Sequence, residues 1–165
     1  MKRTVISVFM LLAVSCALYA AQGPDKVENF ALPKLEDGKP FKLEENLGNG
    51  YVVINFWARW CTSCEEEVPE LIDLKKSPGA DKTLFIGVNV GDNQAKAAKF
   101  VAKFKYPYLV VLDKDKAVAK KYGVLGLPVT LIISKDKKIV FRGSRPPKTF
   151  DFTKEAPAAG NKTVK

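Results

Sequence analysis

An apolar run that leads directly into a pair of cysteines constrains the fold of this chain more than any other feature. Residues 51–57 are almost without polar interruption, and Cys61 and Cys64 follow within seven residues. An apolar run of this length predicts a central strand that is covered on both faces. Beyond the cysteines, Val68 and Leu71 recur at helical spacing, so a helix is expected there. The Cys-x-x-Cys motif is therefore predicted to lie between a buried strand and the start of a helix.

The rest of the chain alternates between strand and helix patterns. Strands are predicted where apolar residues cluster, and helices where they recur three or four residues apart. The predicted strands cover 83–90, 108–112, 129–134 and 139–143, the predicted helices cover 94–104 and 115–122, and a hairpin is expected within 30–43. This order predicts an α/β fold with a mixed central sheet, helices on its faces and an N-terminal β-hairpin extension.

The position and spacing of Cys61 and Cys64 favour a redox-active dithiol. A tetrahedral zinc site needs four ligands, whereas the chain has neither a second cysteine pair nor any histidine. The absence of histidine also disfavours hydrolases that use a Ser–His or Cys–His pair, and metal sites built on imidazole. No metal site is therefore predicted, and the chemistry is assigned to the cysteines.

The two sulfurs are expected to differ in their surroundings. Cys61 would lie at the helix N-terminus, where free backbone N–H groups and the helix dipole favour the thiolate. Cys64, one turn further on, shares a face with Val68 and should be more deeply buried. Glu67 follows at the edge of that apolar face. Partial desolvation would raise its pKa and suit it to proton transfer near neutral pH; the alternative is an acid that only favours the helix start.

The N-terminal segment has the features of an export signal. Lys2 and Arg3 precede an apolar stretch over 5–20 that ends in small residues. Residues 1–21 are therefore predicted to be a signal peptide or an N-terminal membrane anchor, with lipidation of Cys16 as a third option. In each case we expect the folded part in the periplasm or at the outer face of the cytoplasmic membrane.

The segment 22–150 is predicted to form one domain, and 151–165 to be a disordered tail. The formal net charge is +9, but the lysines are interspersed with acidic residues, so an ordinary basic surface is expected and no nucleic-acid partner. The expected partners are cysteine-containing exported proteins and a membrane or periplasmic thiol donor. The chain is expected to be a monomer, with a membrane tether through 1–20 as an option.

Together these residues resemble the TlpA/ResA-like branch of the thioredoxin superfamily, whose members are exported and often tethered to a membrane. The likeness covers about residues 25–143 and rests on the segments 53–58, 60–64, 67–69, 88–90 and 126–130. It implies a thioredoxin fold and thiol–disulfide exchange without a cofactor.

The resemblance also implies a substrate site. Pro128, preceded by Leu127, would form a cis peptide bond, face the dithiol and hold a substrate strand beside Cys61. Trp60 would belong to an apolar rim around the dithiol. Trp57 would either join this rim or belong to the core.

The mechanism that the resemblance implies uses three side chains. Cys61 attacks a target disulfide, and Cys64 resolves the mixed disulfide. Glu67 matches the acid that ResA-like members carry after the second cysteine. Asn55 stands where cytoplasmic thioredoxins have a buried aspartate, which shifts the role of the base to Glu67.

Two features depart from the family pattern. Thr62 and Ser63 replace the frequent x-Pro pair, so the redox direction stays open. Beyond Gly143 no amphipathic helix is predicted, and one sheet face is expected to be thinly covered or packed by 148–153.

The expected function is an exported thiol–disulfide oxidoreductase that exchanges its dithiol or disulfide with other exported proteins. Reduction of apocytochrome c cysteines before haem attachment is one option for its reaction. Two alternatives stay open at this point. One is a Cu(I)-type soft-metal carrier that uses the same dithiol. The other is a thiol peroxidase, which shares the fold class.

Overall fold

A mixed β-sheet flanked by helices organises residues 26–152, the part of the chain that the computed structural model describes. The elements are, in chain order, β1 (Ala31–Pro33), β2 (Pro40–Lys42), a 3-10 turn (Glu44–Asn46), β3 (Val52–Trp57), α1 (Thr62–Glu66), α2 (Val68–Lys76), β4 (Leu84–Val90), α3 (Gln94–Phe104), β5 (Leu109–Asp113), α4 (Ala117–Lys121), β6 (Val129–Ile133) and β7 (Ile139–Gly143).

The five strands of the main sheet are ordered β5-β4-β3-β6-β7. The central strand β3 pairs in parallel with β4 and antiparallel with β6, and β4 pairs in parallel with β5. The antiparallel pair β1–β2 forms a separate two-stranded sheet. The predicted α/β class, the mixed sheet and the N-terminal hairpin are confirmed, with element ends shifted by one or two residues.

All six residues of β3 are buried, as expected for a strand covered on both faces. Because side chains alternate along a strand, Val53 and Trp57 join a core that α1, α2 and α3 cover, whereas Ile54 and Phe56 belong to the core on the opposite face. Asn55 therefore projects into the first of these cores. It is a polar residue on an otherwise apolar face, and its side-chain amide forms a hydrogen bond with Glu67 in the candidate site.

Residues after β7 cover part of the sheet without forming a helix. Phe150 is buried, and its ring lies 5.3 Å from that of Tyr51 in an edge-on arrangement. The Tyr51 hydroxyl donates a hydrogen bond to the carbonyl of Phe152. Of the two alternatives expected for this sheet face, thin cover or packing by 148–153, the structure supports packing, as far as residue 152. In the described part of the chain, aromatic side chains of this segment provide the cover.

The predicted signal peptide or membrane anchor over 1–21 lies outside the described residues, as does the predicted tail from 153 onward. The domain boundaries therefore stay predictions. Within 26–152, the structure contains no helix with the length and apolar character needed to cross a membrane.

Candidate active site

Cys61 and Cys64 form a disulfide at the point where the chain passes from β3 into α1. Their Cα atoms are 5.2 Å apart and the S–S distance is 2.12 Å. Cys61 is the N-cap residue of α1, since the helix begins at Thr62. The predicted location between a buried strand and a helix start is confirmed, and the structure shows the oxidised form of the pair.

The two sulfurs differ in exposure and in hydrogen bonding. Cys61 is 6% exposed and Cys64 1% exposed, so Cys61 is the more accessible of two largely buried residues. The backbone N–H of Cys64 donates to Sγ of Cys61 over 3.2 Å. In the reduced protein, a donor in this position favours the thiolate over the thiol at Cys61. The expected order, with Cys61 outside and Cys64 inside, is confirmed.

Glu67 lies at the junction of α1 and α2, where it is the C-cap of the first helix and the N-cap of the second. Its side chain is fully buried. Oε1 accepts a hydrogen bond of 2.8 Å from the side-chain amide of Asn55, whereas Oε2 has no partner among the described residues. A buried carboxyl with one free oxygen is poised to take up a proton.

Burial raises the pKa of Glu67 to about 7. The hydrogen bond from Asn55 and the charge of Arg145 oppose this rise, and the charge of Glu70 adds to it. Desolvation dominates because a buried carboxylate loses its hydration. The pKa direction and its main cause agree with the sequence-based expectation for a proton-transfer group. The burial of Glu67 is deeper than the partial desolvation that was expected.

A hydrogen-bond network that the sequence did not reveal holds Glu67 against β3. The Asn55 amide donates to Glu67 Oε1 and, over 3.1 Å, to Oγ1 of Thr130. Its Oδ1 accepts a hydrogen bond of 2.5 Å from the hydroxyl of Tyr106. A buried amide needs partners, so an asparagine within an apolar strand was the one sequence signal that could have pointed to such a network. No local pattern pointed to Tyr106 or Thr130.

The two tryptophans have different environments. Trp57 is fully buried, with its ring 4.4 Å from that of Phe100 and 5.0 Å from that of Tyr106. The assignment of Trp57 to a rim around the dithiol is therefore wrong, and its alternative role in the core is correct, because both faces of β3 are covered and every residue of the strand is buried. Trp60 follows the strand and is 62% exposed.

The peptide bond between Leu127 and Pro128 is cis, as the resemblance implied. Val129, the next residue, pairs with Phe56 in the antiparallel register of β3 and β6. Since Phe56 is the penultimate residue of β3, Pro128 lies at the same edge of the sheet as the cysteine motif. Substrate binding by Trp60, Leu127 and Pro128 stays a prediction.

A buried carboxylate fixes the loop between β3 and Cys61. Oδ2 of Asp92 accepts a hydrogen bond of 2.7 Å from the backbone N–H of Arg59 and one of 3.0 Å from the side chain of Asn89. The sequence analysis did not single out Asp92. The sequence signal that could have identified it is an acidic residue two positions after the end of a buried strand.

With this geometry established, comparison with known proteins identifies the family. The profile of the AhpC/TSA family matches residues 24–142. The chain belongs to this family. Members similar to it include the thiol-disulfide oxidoreductase ResA of Geobacillus thermodenitrificans, 33% identical over 148 residues that cover 83% of this chain and 82% of the relative. ResA of Bacillus subtilis is 31% identical over 147 residues, which cover 84% and 80% of the two chains.

Solved structures agree with this placement in the AhpC/TSA family. The putative thiol:disulfide interchange protein DsbE from Chlorobium tepidum superposes with a TM-score of 0.64 and 28% identity, over 73% of this chain and 83% of that one. A thiol-disulfide oxidoreductase from Bacteroides fragilis gives a TM-score of 0.64 and 27% identity, over 71% and 88%. The ResA-like resemblance and the thioredoxin fold are confirmed, and the chain is a thiol–disulfide oxidoreductase of the ResA/DsbE type.

Proposed function

We propose that this oxidoreductase exchanges the Cys61–Cys64 pair with cysteines of exported proteins outside the cytoplasm, and that Glu67 serves as the proton acceptor for Cys64. The observation that carries the proposal is the buried carboxyl of Glu67 behind the dithiol, with one oxygen held by Asn55 and its pKa raised to about 7. We extend the proposal to reduction of apocytochrome c cysteines. The export-type pattern of 1–21 supports the location.

In the reductive direction, the thiolate of Cys61 attacks a substrate disulfide. A bond forms between Cys61 Sγ and one substrate sulfur, the substrate S–S bond breaks, and the released substrate thiolate takes a proton from solvent. Cys64 then loses its proton to Glu67 and attacks Cys61 Sγ as a thiolate. The mixed disulfide breaks and the second substrate thiolate leaves and is protonated. Two electrons have passed to the substrate, and the disulfide of Cys61 and Cys64 has formed.

The position of Glu67 supports its assignment to this step. It follows Cys64 by three residues, and its N–H donates to the carbonyl of Ser63 over 3.2 Å, so it continues the turn that carries Cys64. Cys64 belongs to the same buried cluster as Val53 and Trp57, and Glu67 accepts a hydrogen bond from Asn55. Both side chains therefore lie on the side of the sheet to which Val53, Asn55 and Trp57 project. A base with a pKa near 7 suits proton transfer at neutral pH.

Three residues are proposed to hold the substrate. Trp60 offers a large exposed apolar surface beside Cys61, and the cis bond between Leu127 and Pro128 lies at the same sheet edge. An extended substrate segment next to this edge would place its sulfur at Cys61, with backbone hydrogen bonds supplying affinity.

The exchange mechanism is tested with cysteine variants and a disulfide-bonded protein substrate. Cys61→Ser should abolish exchange, because no nucleophile remains to attack. Cys64→Ser should accumulate a mixed disulfide through Cys61, since nothing resolves it. Mass spectrometry of acid-quenched reactions detects the adduct. Equal turnover by both variants and the unmodified protein would refute the mechanism.

Direction, substrate and location need separate measurements. A reduction potential near or below about −250 mV for the pair would indicate a reductase, and one near about −120 mV an oxidant.

Reduction of an oxidised apocytochrome c peptide by the reduced protein tests the proposed substrate. Failure of the peptide to react would exclude apocytochrome c as a substrate. Recovery of the full chain only in the cytoplasmic fraction of expressing cells would contradict export.

A further inference from the structure

We propose that Tyr106 is a positioning residue for the reaction: its hydroxyl fixes the orientation of the Asn55 amide, and the amide in turn presents an N–H donor to Glu67. The inference rests on the proposed role of Glu67 as the proton acceptor. It adds a residue from the segment between α3 and β5 to the network that Asn55 forms with Glu67 and Thr130.

The Asn55 amide uses both of its ends. Oδ1 accepts from the Tyr106 hydroxyl, while Nδ2 donates both to Glu67 and to Thr130. An amide can rotate by half a turn and exchange the positions of its oxygen and nitrogen. With Tyr106 in place, that rotation leaves the buried phenolic proton facing an N–H₂ group, where it has no acceptor. The tyrosine thus selects the orientation in which nitrogen faces Glu67.

A glycine in the neighbouring strand makes room for this contact. Gly87 pairs with Asn55 in the register of β3 and β4. A Cβ atom at Gly87 would lie 2.5 Å from Cε1 of Tyr106, 2.7 Å from its hydroxyl oxygen and 2.8 Å from Nε1 of Trp57. Glycine inside a strand often marks such a close approach. The absence of a side chain here lets the phenol reach across β4 to Asn55.

The charged and titratable groups around Glu67 come from several elements. Arg145, after β7, lowers the pKa of Glu67, and Glu70 on α2 raises it. Tyr106 and Tyr108 come from the segment between α3 and β5; burial raises the pKa of both further above its ordinary value, so both hydroxyls are neutral at physiological pH. Cys64 on α1 is oxidised in the structure. Tyr106 therefore acts on Glu67 through a hydrogen bond and not through charge.

Loss of the Tyr106 hydroxyl should favour the protonated form of Glu67. In Tyr106→Phe, either orientation of the Asn55 amide leaves one group facing the phenyl ring without a partner. The rotated amide then becomes accessible, and its oxygen accepts a hydrogen bond from a protonated Glu67. The N–H donor of Asn55, which stabilised the Glu67 carboxylate, is then replaced by the amide oxygen, which stabilises the protonated acid. The titration midpoint of Glu67 therefore moves upward by about one pH unit.

The test is an infrared titration of the full-length oxidised protein, in which the two cysteines do not titrate. The carbonyl band of protonated Glu67 is the one that disappears in Glu67→Gln. Tyr106→Phe removes the hydroxyl, whereas Gly87→Ala keeps Tyr106 but shifts its ring away from Asn55. Both variants should raise the titration midpoint of Glu67. Tyr108→Phe is the matched control, since that hydroxyl donates to the carbonyl of Leu71 and not to Asn55.

An unchanged midpoint in Tyr106→Phe and Gly87→Ala, or an equal rise in Tyr108→Phe, would overturn the inference. In an Asn55→Ala background, Tyr106→Phe should produce no further change, because the group that transmits the effect is absent. The titration does not depend on turnover. If Glu67→Gln leaves exchange unaltered while Tyr106→Phe moves the midpoint, the proposed function of Glu67 fails and the link from Tyr106 to Glu67 stands.

Discussion

Asn55 and Glu67 are joined by a hydrogen bond of 2.8 Å that fastens the helical junction behind the cysteines to the central strand. Both side chains are fully buried. The bond holds one carboxyl oxygen, and burial raises the pKa of the group to about 7. A fixed position and a protonation equilibrium near neutrality are the two properties that a proton acceptor for Cys64 requires.

Glu67→Gln should slow the resolution of the mixed disulfide about a hundredfold, since the amide keeps the shape of the side chain but cannot accept a proton. In the unmodified protein, the resolution rate should rise with pH and level off above about 7, where Glu67 is deprotonated. Rapid-quench kinetics of a preformed Cys61 adduct measures both. Glu66→Gln, an exposed neighbour, is the control; identical profiles for the two variants would contradict the assignment.

Glu67 should also make the stability of the oxidised protein depend on pH. Its pKa rises from 4.5 to about 7 on folding, so the folded state holds more protons between these values. The free energy of unfolding therefore falls as pH rises through this window, by about 3 kcal/mol in total. Glu67→Gln should lose this decrease. Urea unfolding at pH 5 and pH 8 measures the difference, and a variant that retains the full decrease would refute the linkage.

Asp92→Ala should loosen the loop that carries the cysteines. The substitution leaves the backbone N–H of Arg59 and the amide of Asn89 without their shared acceptor, which costs about 1–3 kcal/mol. Exchange should slow as the loop becomes less ordered. Thermal unfolding and turnover are compared with those of Asp81→Ala, which removes an exposed acid. Unchanged stability and turnover would show that this contact does not hold the loop.

Trp60→Ala should weaken binding of protein substrates, because Trp60 supplies an exposed apolar surface next to Cys61. KM for a protein disulfide is expected to rise about tenfold. Reaction with a small disulfide, which cannot contact the tryptophan to the same extent, is the control and should change little. A proportional loss with both substrates would instead indicate damage to the dithiol.

Phe150→Ala should destabilise the fold by about 3 kcal/mol, since Phe150 is buried against Tyr51 and Phe85. Thr149→Ala, an exposed change at the adjacent position, should have little effect. Denaturant unfolding of the oxidised proteins provides the comparison. Equal stability of the two variants would mean that the segment after β7 does not cover the core.

Local sequence patterns were sufficient to predict the helices and strands and the reactive pair Cys61 and Cys64. Local patterns predict the buried strands, the amphipathic helices and the Cys-x-x-Cys motif at a strand–helix junction. They do so because the periodicity of apolar residues depends only on residues a few positions apart. Glu67 was identifiable for the same reason, as it lies one turn from Cys64. The cis bond before Pro128 followed only from the family resemblance.

The surroundings of the Glu67 carboxyl depend on how distant parts of the chain pack together. Tyr106 and Thr130 reach Asn55 from 51 and 75 residues away, through strand register and the space beside Gly87. The burial of Trp57 likewise depends on the packing of distant elements, since its ring lies against Phe100 and Tyr106. Hydrogen bonds between residues far apart in the sequence depend on how the helices and strands pack. This packing depends on the whole chain, so a local sequence pattern cannot predict it.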